Sequence, residues 1–303
     1  MWKYALKRIL LAIVTVFIII TITFFAMNAI PGGPFESEKA PEPSVRKALE
    51  ARYNLDKPLG EQFTIYLGNL LHGDFGISLK NGRDITNTIK ESFAISAKLG
   101  GMAALAAVVV GVVLGSIAAL TRNRWPDRTI IFFTTLFVSV PSFVLATILL
   151  LIFCLQLNWF PVWNATSTAY LLPVISLALY PMAYITRLTK SSMLDVLGQD
   201  YIRTARSKGL KEGVVIFKHA LRNALIPVIT YVGPMLAYIL TGSLVVETVF
   251  TIGGLGSKFV TSISQRDYPM IMATTIFLAT LMVIMTLLSD LIYKAVDPQI
   301  SFD

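Results

Sequence analysis

Five stretches of this chain contain no Asp, Glu, Lys or Arg: Ile9 to Phe35, Leu99 to Thr121, Thr129 to Thr186, Asn223 to Val246 and Tyr268 to Ser289. Together they make up half of the 303 residues, so 26 Lys and Arg and 18 Asp and Glu are crowded into the other half. A water-soluble globule spreads charge over every surface element, whereas a charge-free apolar run of about 20 residues matches the hydrocarbon thickness of a bilayer. A hydrophobic fraction of 55% and a mean hydropathy of +0.68 agree with the second case. Helices satisfy their own backbone polar groups inside such a layer, so the expected fold class is an all-α integral membrane protein.

The first run follows Lys3, Lys7 and Arg8 as a secretory signal would, but it exceeds the short apolar core of a signal peptide. Ala26-Met27-Asn28-Ala29 is also a poor cleavage site, so the run is read as a retained helix over about 9 to 30. The Thr129 to Thr186 run is too long for one helix, and turn formers from Asn158-Trp159-Phe160-Pro161 through Ser167-Thr168 interrupt it. It therefore holds spans at about 130 to 157 and 171 to 190. With about 94 to 121, 225 to 246 and 271 to 293, six transmembrane helices are expected.

Orientation follows from Lys and Arg in the short connections. Lys3, Lys7 and Arg8, then Arg122, Arg124 and Arg128, then eight between Arg187 and Arg222, then Lys294 fall on one side. Lys258 and Arg266 fall on the other, which places both termini in the cytoplasm of a multi-pass cell-membrane protein. Trp2, Trp125, Trp159 and Trp163 all fall at span boundaries, where indole prefers the headgroup zone. Residues 31 to 93 form an extracytoplasmic subregion too long for the charge rule, and 187 to 222 form a cytoplasmic segment. In the former, Ser44 is placed to cap a helix carrying Val45, Leu49 and Tyr53. A second helix puts Leu59, Phe63, Tyr66, Leu67, Leu70 and Leu71 on one face before Gly73-Asp74-Phe75-Gly76 ends it. That pair is expected to lie on the outer membrane surface or the bundle, with an external partner as a further role.

Several chemistries are excluded. No Gly is followed by Lys, so a phosphate-binding G-x-x-x-x-G-K-[ST] loop does not exist here, and H-E-x-x-H and G-x-S-x-G are missing too. Cys154, the single cysteine, lies in an apolar run and is expected to pack. His72 and His219 have no Cys or His neighbour at metal-ligand spacing, so no metal is expected. The net charge of +8 is spread over loops rather than gathered on an aqueous domain, which argues for lipid headgroups and against nucleic acid as a partner. An ion-coupled carrier would show ionisable residues within its spans, and the best candidate, Asp290, sits near a helix end where an interfacial role is expected. Gly111 and Gly115 allow close helix approach, and Pro141, Pro173, Pro181, Pro227 and Pro234 mark bends in the bundle.

The segment between the fourth and fifth spans is the informative one. Tyr201-Ile202-Arg203-Thr204-Ala205-Arg206-Ser207-Lys208-Gly209-Leu210 reads as a short helix. Tyr201, Ala205 and Gly209 form a stripe whose small residues admit another protein, with Arg203 and Arg206 on the adjoining face. Gly209 supplies a left-handed residue to end the helix. A basic helix lying on anionic lipid is the competing reading.

This segment, continued by His219-Ala220-Leu221-Arg222-Asn223-Ala224-Leu225-Ile226-Pro227, resembles the EAA loop of ABC-importer permeases in the wording of the dipeptide, oligopeptide and nickel group. Arg203 stands where the general pattern has Glu and Thr204 where it has Ala, departures typical of that group, while Ala205 and Gly209 fit. The resemblance covers essentially the whole chain. It includes Ala29-Ile30-Pro31-Gly32-Gly33-Pro34-Phe35, His72 to Gly76, Pro141-Ser142-Phe143, Glu247 to Phe250 with Gly253 to Gly256, Arg266-Asp267-Tyr268-Pro269 and Asp297-Pro298. The short third loop and the Pro-Gly-Gly-Pro-Phe stretch look most like the B-type oligopeptide permeases. The resemblance implies a single permease domain over 1 to 303 with the type I ABC-importer architecture, and a function as half of an oligopeptide path. It implies a homologous second permease, two cytoplasmic ATPase subunits and an extracytoplasmic peptide-binding protein as partners. Residues Tyr201 to Gly209 would be the helix that couples to the ATPases, with ATP bound by those subunits and no cofactor or enzymatic activity in this chain. A dipeptide or nickel permease, an ion-coupled carrier and a membrane scaffold or insertase are the alternatives.

Overall fold

A computed structural model describes residues 2–30, 55–164 and 169–296. The Ser44 cap with Val45, Leu49 and Tyr53, the Pro31 to Phe35 stretch, the Ser167-Thr168 turn and Asp297-Pro298 lie outside the described residues. The described chain is helical, and its one β feature is an isolated bridge between Ile77 and Asp84. In order come α1 (Trp2–Ala29), α2 (Leu59–Leu71), α3 (Ile85–Leu120), α4 (Trp125–Ser139) and α5 (Ser142–Leu149), which runs on as a π-helix to Gln156. Then follow α6 (Leu171–Leu197), α7 (Asp200–Ser207), α8 (Glu212–Val214) with a π-helical continuation to Ala220, and α9 (Leu221–Ala224). The last three are α10 (Ile226–Val249), α11 (Leu255–Gln265) and α12 (Tyr268–Val296).

Helices α1, α3, α6 and α12 are each long and apolar enough to cross a bilayer. Two further candidates are bent pairs: α4 with α5 and its continuation, at 103°, and Glu212–Ala224 with the start of α10, at 47°. Counting each pair once allows up to six spans, the number expected. The span expected over 130 to 157 is bent sharply where Pro141 marks a bend, and of the second pair only the part from Ile226 falls in the span expected over 225 to 246. Pro141 is the cause, because it forces Val140 before it into an extended conformation (φ −95°, ψ 127°) and brings no N–H to continue the ladder.

The chain folds into two compact units, one of residues 1–95 with 253–283 and one of 96–252 with 284–303. In the first, Phe24 and Met27 of α1 pack with Tyr268, Ile271 and Met272 of α12, and Phe63 and Tyr66 of α2 pack against them. The expected apolar stripe of α2 is therefore divided, since Leu59 and Leu71 at its ends remain 48% and 80% exposed. Gly73 and Gly76 take positive φ (76° and 82°), and Asp74 Oδ1 accepts from the Gly76 amide at 2.8 Å, which turns the chain after α2. Buried Asp267 accepts hydrogen bonds from Ser78 Oγ and from the Leu79 amide, pinning this turn beside α12. A cavity of about 430 Å³ lies between Phe24, Gln62, Tyr66, Asp74 and Tyr268.

In the second unit α6 is the central helix, with α4, α5 and α10 packed along it. Gly111 and Gly115 bring α3 against α6: a Cβ at Gly115 would fall 2.5 Å from the Thr186 carbonyl oxygen, and one at Gly111 2.8 Å from Ile185 Cγ2. Cys154 is buried. Glu247 is fully buried and accepts from Ser96 Oγ at 2.6 Å. Lys190 of α6 reaches Asp127 of α4 at 2.5 Å, and Asp127 also accepts from the Asn123 amide at 2.9 Å.

Candidate functional site

Residues 198 to 225 build a small platform with one helix lying on it. After α6 ends at Gly198, Gln199 is extended (φ −75°, ψ 151°) and Asp200 opens α7, where a carboxylate suits the positive end of the helix dipole. Arg203 pairs with Asp200 at 3.4 Å on the surface, and Thr204 Oγ1 donates to the Asp200 carbonyl. The helix ends as the sequence requires. Gly209 has φ 75°, its amide bonds the Arg206 carbonyl, and the Leu210 amide reaches back to Ala205, so both orphan carbonyls are satisfied through a left-handed residue.

One face of α7 is buried. Ile202 and Ala205 join Ala119 of α3, Met193 of α6, Val215 and Ala220 of the π-helical stretch and Ala224 of α9 in a single cluster. The other face carries exposed Tyr201, Arg203, Thr204, Arg206, Ser207 and Lys208, with Gly209 beyond the end. The expected stripe is thus corrected. Tyr201 and Gly209 face outward, whereas Ala205 packs on its own chain, because its small side chain lets Val215 and Ala220 close on the helix beside Ile202.

Two polar staples fix this geometry. Arg206 grips Glu212 through Nη2 at 2.6 Å and Nε at 3.2 Å, and the guanidinium holds the Glu212 carboxyl below its ordinary range. Asn223 Nδ2 donates to the Tyr201 hydroxyl at 2.8 Å, tying α7 to α9. Neither Glu212 nor Asn223 has a periodic relation to α7, so spacing alone does not single them out. Asp127 and Lys190 were likewise missed, although an acid in the first turn of α4 and a lone Lys on α6 were available signals.

The arrangement offers a short, partly basic helix face, tied to its neighbours by the Arg206–Glu212 and Tyr201–Asn223 contacts, as a surface to be gripped. It is mounted on helices long and apolar enough to cross a bilayer, the architecture of a multi-pass membrane protein. The profile for the binding-protein-dependent transport system inner membrane component matches residues 111–302, and the N-terminal profile of the same systems matches residues 1–100. The chain belongs to this family of ABC-importer permeases. It is 48% identical over 302 residues to the dipeptide transport system permease protein DppB of Bacillus subtilis, covering 99% of this chain and 98% of the relative. It is 44% identical over 307 residues to the oligopeptide transport system permease protein OppB of Haemophilus influenzae, covering 100% of both. Among solved structures, the inward-facing MetNI methionine ABC transporter shares the fold with a TM-score of 0.57 at 18% identity, over 69% of this chain and 96% of that one.

Proposed function

We propose that the chain is half of the path of an oligopeptide importer of the cell membrane, with both termini cytoplasmic and residues 1 to 303 acting as one permease domain. A homologous second permease completes the path, an extracytoplasmic protein delivers the peptide, and two cytoplasmic ATPase subunits bind and hydrolyse the ATP, so this chain carries no cofactor. The observation that carries the reading is the platform-mounted α7, whose apolar residues are used up within the chain while its polar face stays open. Closure of the ATPases would push on Tyr201 to Gly209, and the anchorage through Ile202 and Ala205 would pass that motion to α3, α6 and α9.

The test reverses charge on the open face alone. Arg203→Glu with Lys208→Glu should insert at normal abundance yet lose ATPase co-purification and at least ten-fold of peptide uptake. Normal association would overturn the coupling assignment. A dipeptide importer is the second reading, favoured by the Bacillus subtilis relative. Competition of labelled tripeptide uptake by dipeptides and by tetrapeptides separates the two, since an oligopeptide path is inhibited more strongly by the longer peptides.

A further inference from the structure

Four tyrosines line the α6–α10 seam of the second unit, Tyr180 and Tyr238 near the middle of the expected spans and Tyr184 and Tyr231 nearer their cytoplasmic ends. Tyr184 of α6 faces Tyr231 of α10 with ring centroids 4.4 Å apart, and Tyr180 faces Tyr238 at 5.4 Å. Tyr180 and Tyr184 are one turn apart, and Tyr231 and Tyr238 two turns apart, so the four phenols form one strip along the α6–α10 seam. Tyr184 and Tyr238 are 44% and 43% exposed, although Ala183, Ile185, Ala237 and Ile239 beside them in sequence are buried. The strip thus lies on an open face of α6 and α10, helices that also carry exposed Ile175, Ile229 and Val245.

The mid-span position of Tyr180 and of the exposed Tyr238 conflicts with a lipid-facing role. Tyrosine favours the ends of a span, where its hydroxyl reaches headgroup water, and acyl chains offer a phenol no hydrogen-bond partner. The backbone adds a further polar group on the same side. Pro234 is exposed between Tyr231 and Tyr238 and has no N–H, so the Thr230 carbonyl one turn earlier loses its usual helical donor. Aromatic faces, hydroxyls and a released carbonyl, with no charge among them, suit a polar, uncharged chain of variable side chains.

We propose that this tyrosine strip lines the solute path and touches the main chain of the passing peptide, an inference that rests on the importer reading above. The hydroxyls exchange hydrogen bonds with peptide C=O and N–H groups, and the rings give apolar side chains a sequence-tolerant surface. Such contacts are individually weak, which suits a path that must release what it holds.

The test uses the assembled complex with Cys154→Ser as parent and single cysteines at Tyr184, Tyr238 and, on the exposed apolar face of α3, Val113. A small hydrophilic methanethiosulfonate should modify Tyr184→Cys and Tyr238→Cys at least ten-fold faster than Val113→Cys, and saturating transported tripeptide should slow both. Equal rates at all three positions would overturn the inference. Tyr184→Phe with Tyr238→Phe keeps the rings and removes two hydroxyls, so the KM for peptide uptake should rise at least three-fold at unchanged membrane abundance. An unchanged KM would overturn the peptide contact. A parent complex that takes up no peptide sinks the importer reading instead, while the labelling rates still decide whether the strip faces water.

Discussion

Lys190 and Asp127 show how a membrane bundle handles a charge it cannot leave alone. Their side chains are 21% and 6% exposed and meet at 2.5 Å between α6 and α4. Removing one partner strands the other in a poorly solvated site, which costs about 3–5 kcal/mol, whereas replacing both by apolar residues is often neutral. Lys190→Met should therefore lower the melting temperature of the purified protein sharply, and Asp127→Leu with Lys190→Met should recover most of the loss. If the double variant melts as low as the single one, the pair is not stabilising through mutual neutralisation. Gly115 illustrates the opposite constraint, space rather than charge. The atom nearest an added Cβ is the Thr186 carbonyl oxygen, and backbone cannot swing away as a flexible side chain can. Gly115→Leu should cost about 1–3 kcal/mol through overpacking, read as a lower melting temperature, and Gly101→Leu, where an added Cβ meets nothing within 4 Å, should cost less.

At the scale of one element, α7 divides what a sequence declares from what it withholds. Its existence and its end were legible, because Asp200 suits a first turn and Gly209 supplies the left-handed residue. Its orientation was not. Ala205 belongs to both the 201/205/209 stripe and the 202/205 pair, and only Val215 and Ala220, which arrive through a separate π-helical stretch, decide which of the two turns inward. The bend at Pro141 was half legible in the same way: the proline was visible, but its 103° consequence depends on the helices packed around it. The end of α7 gives a clean backbone test, since nothing lies within 4 Å of an added Cβ at Gly209 and strain comes from φ alone. A β-branched residue in the left-handed region costs about 1–2 kcal/mol, and Asn tolerates it far better. Gly209→Val should thus make trypsin cut after Lys208 or Lys211 several-fold faster than in the parent, with Gly209→Asn close to the parent. Equal cutting of both variants would deny that the left-handed residue holds the end of the helix.

For the whole molecule, hydrophobic length and basic charge answer different questions. Charge-free runs indicate how many times the chain can cross. Each of the four long apolar helices and the two bent pairs overlaps one of the expected spans, although Glu212–Ala224 of the second pair lies almost wholly outside the charge-free runs. They say nothing of direction, which rests on the concentration of Lys and Arg around Arg122 to Arg128 and Arg187 to Arg222 against Lys258 and Arg266. Two exposed positions test that asymmetry directly: Asn81, in the turn before α3, and Ser207, on the open face of α7. In a Cys154→Ser background, Asn81→Cys should react with an impermeant maleimide in intact cells and Ser207→Cys only after the membrane is permeabilised. Both positions are solvent-exposed in the fold, so a difference between them reports the side of the membrane rather than burial. The reverse pattern would place α7 outside the cell, where no ATPase subunit could reach it, and the coupling role would fall with the orientation.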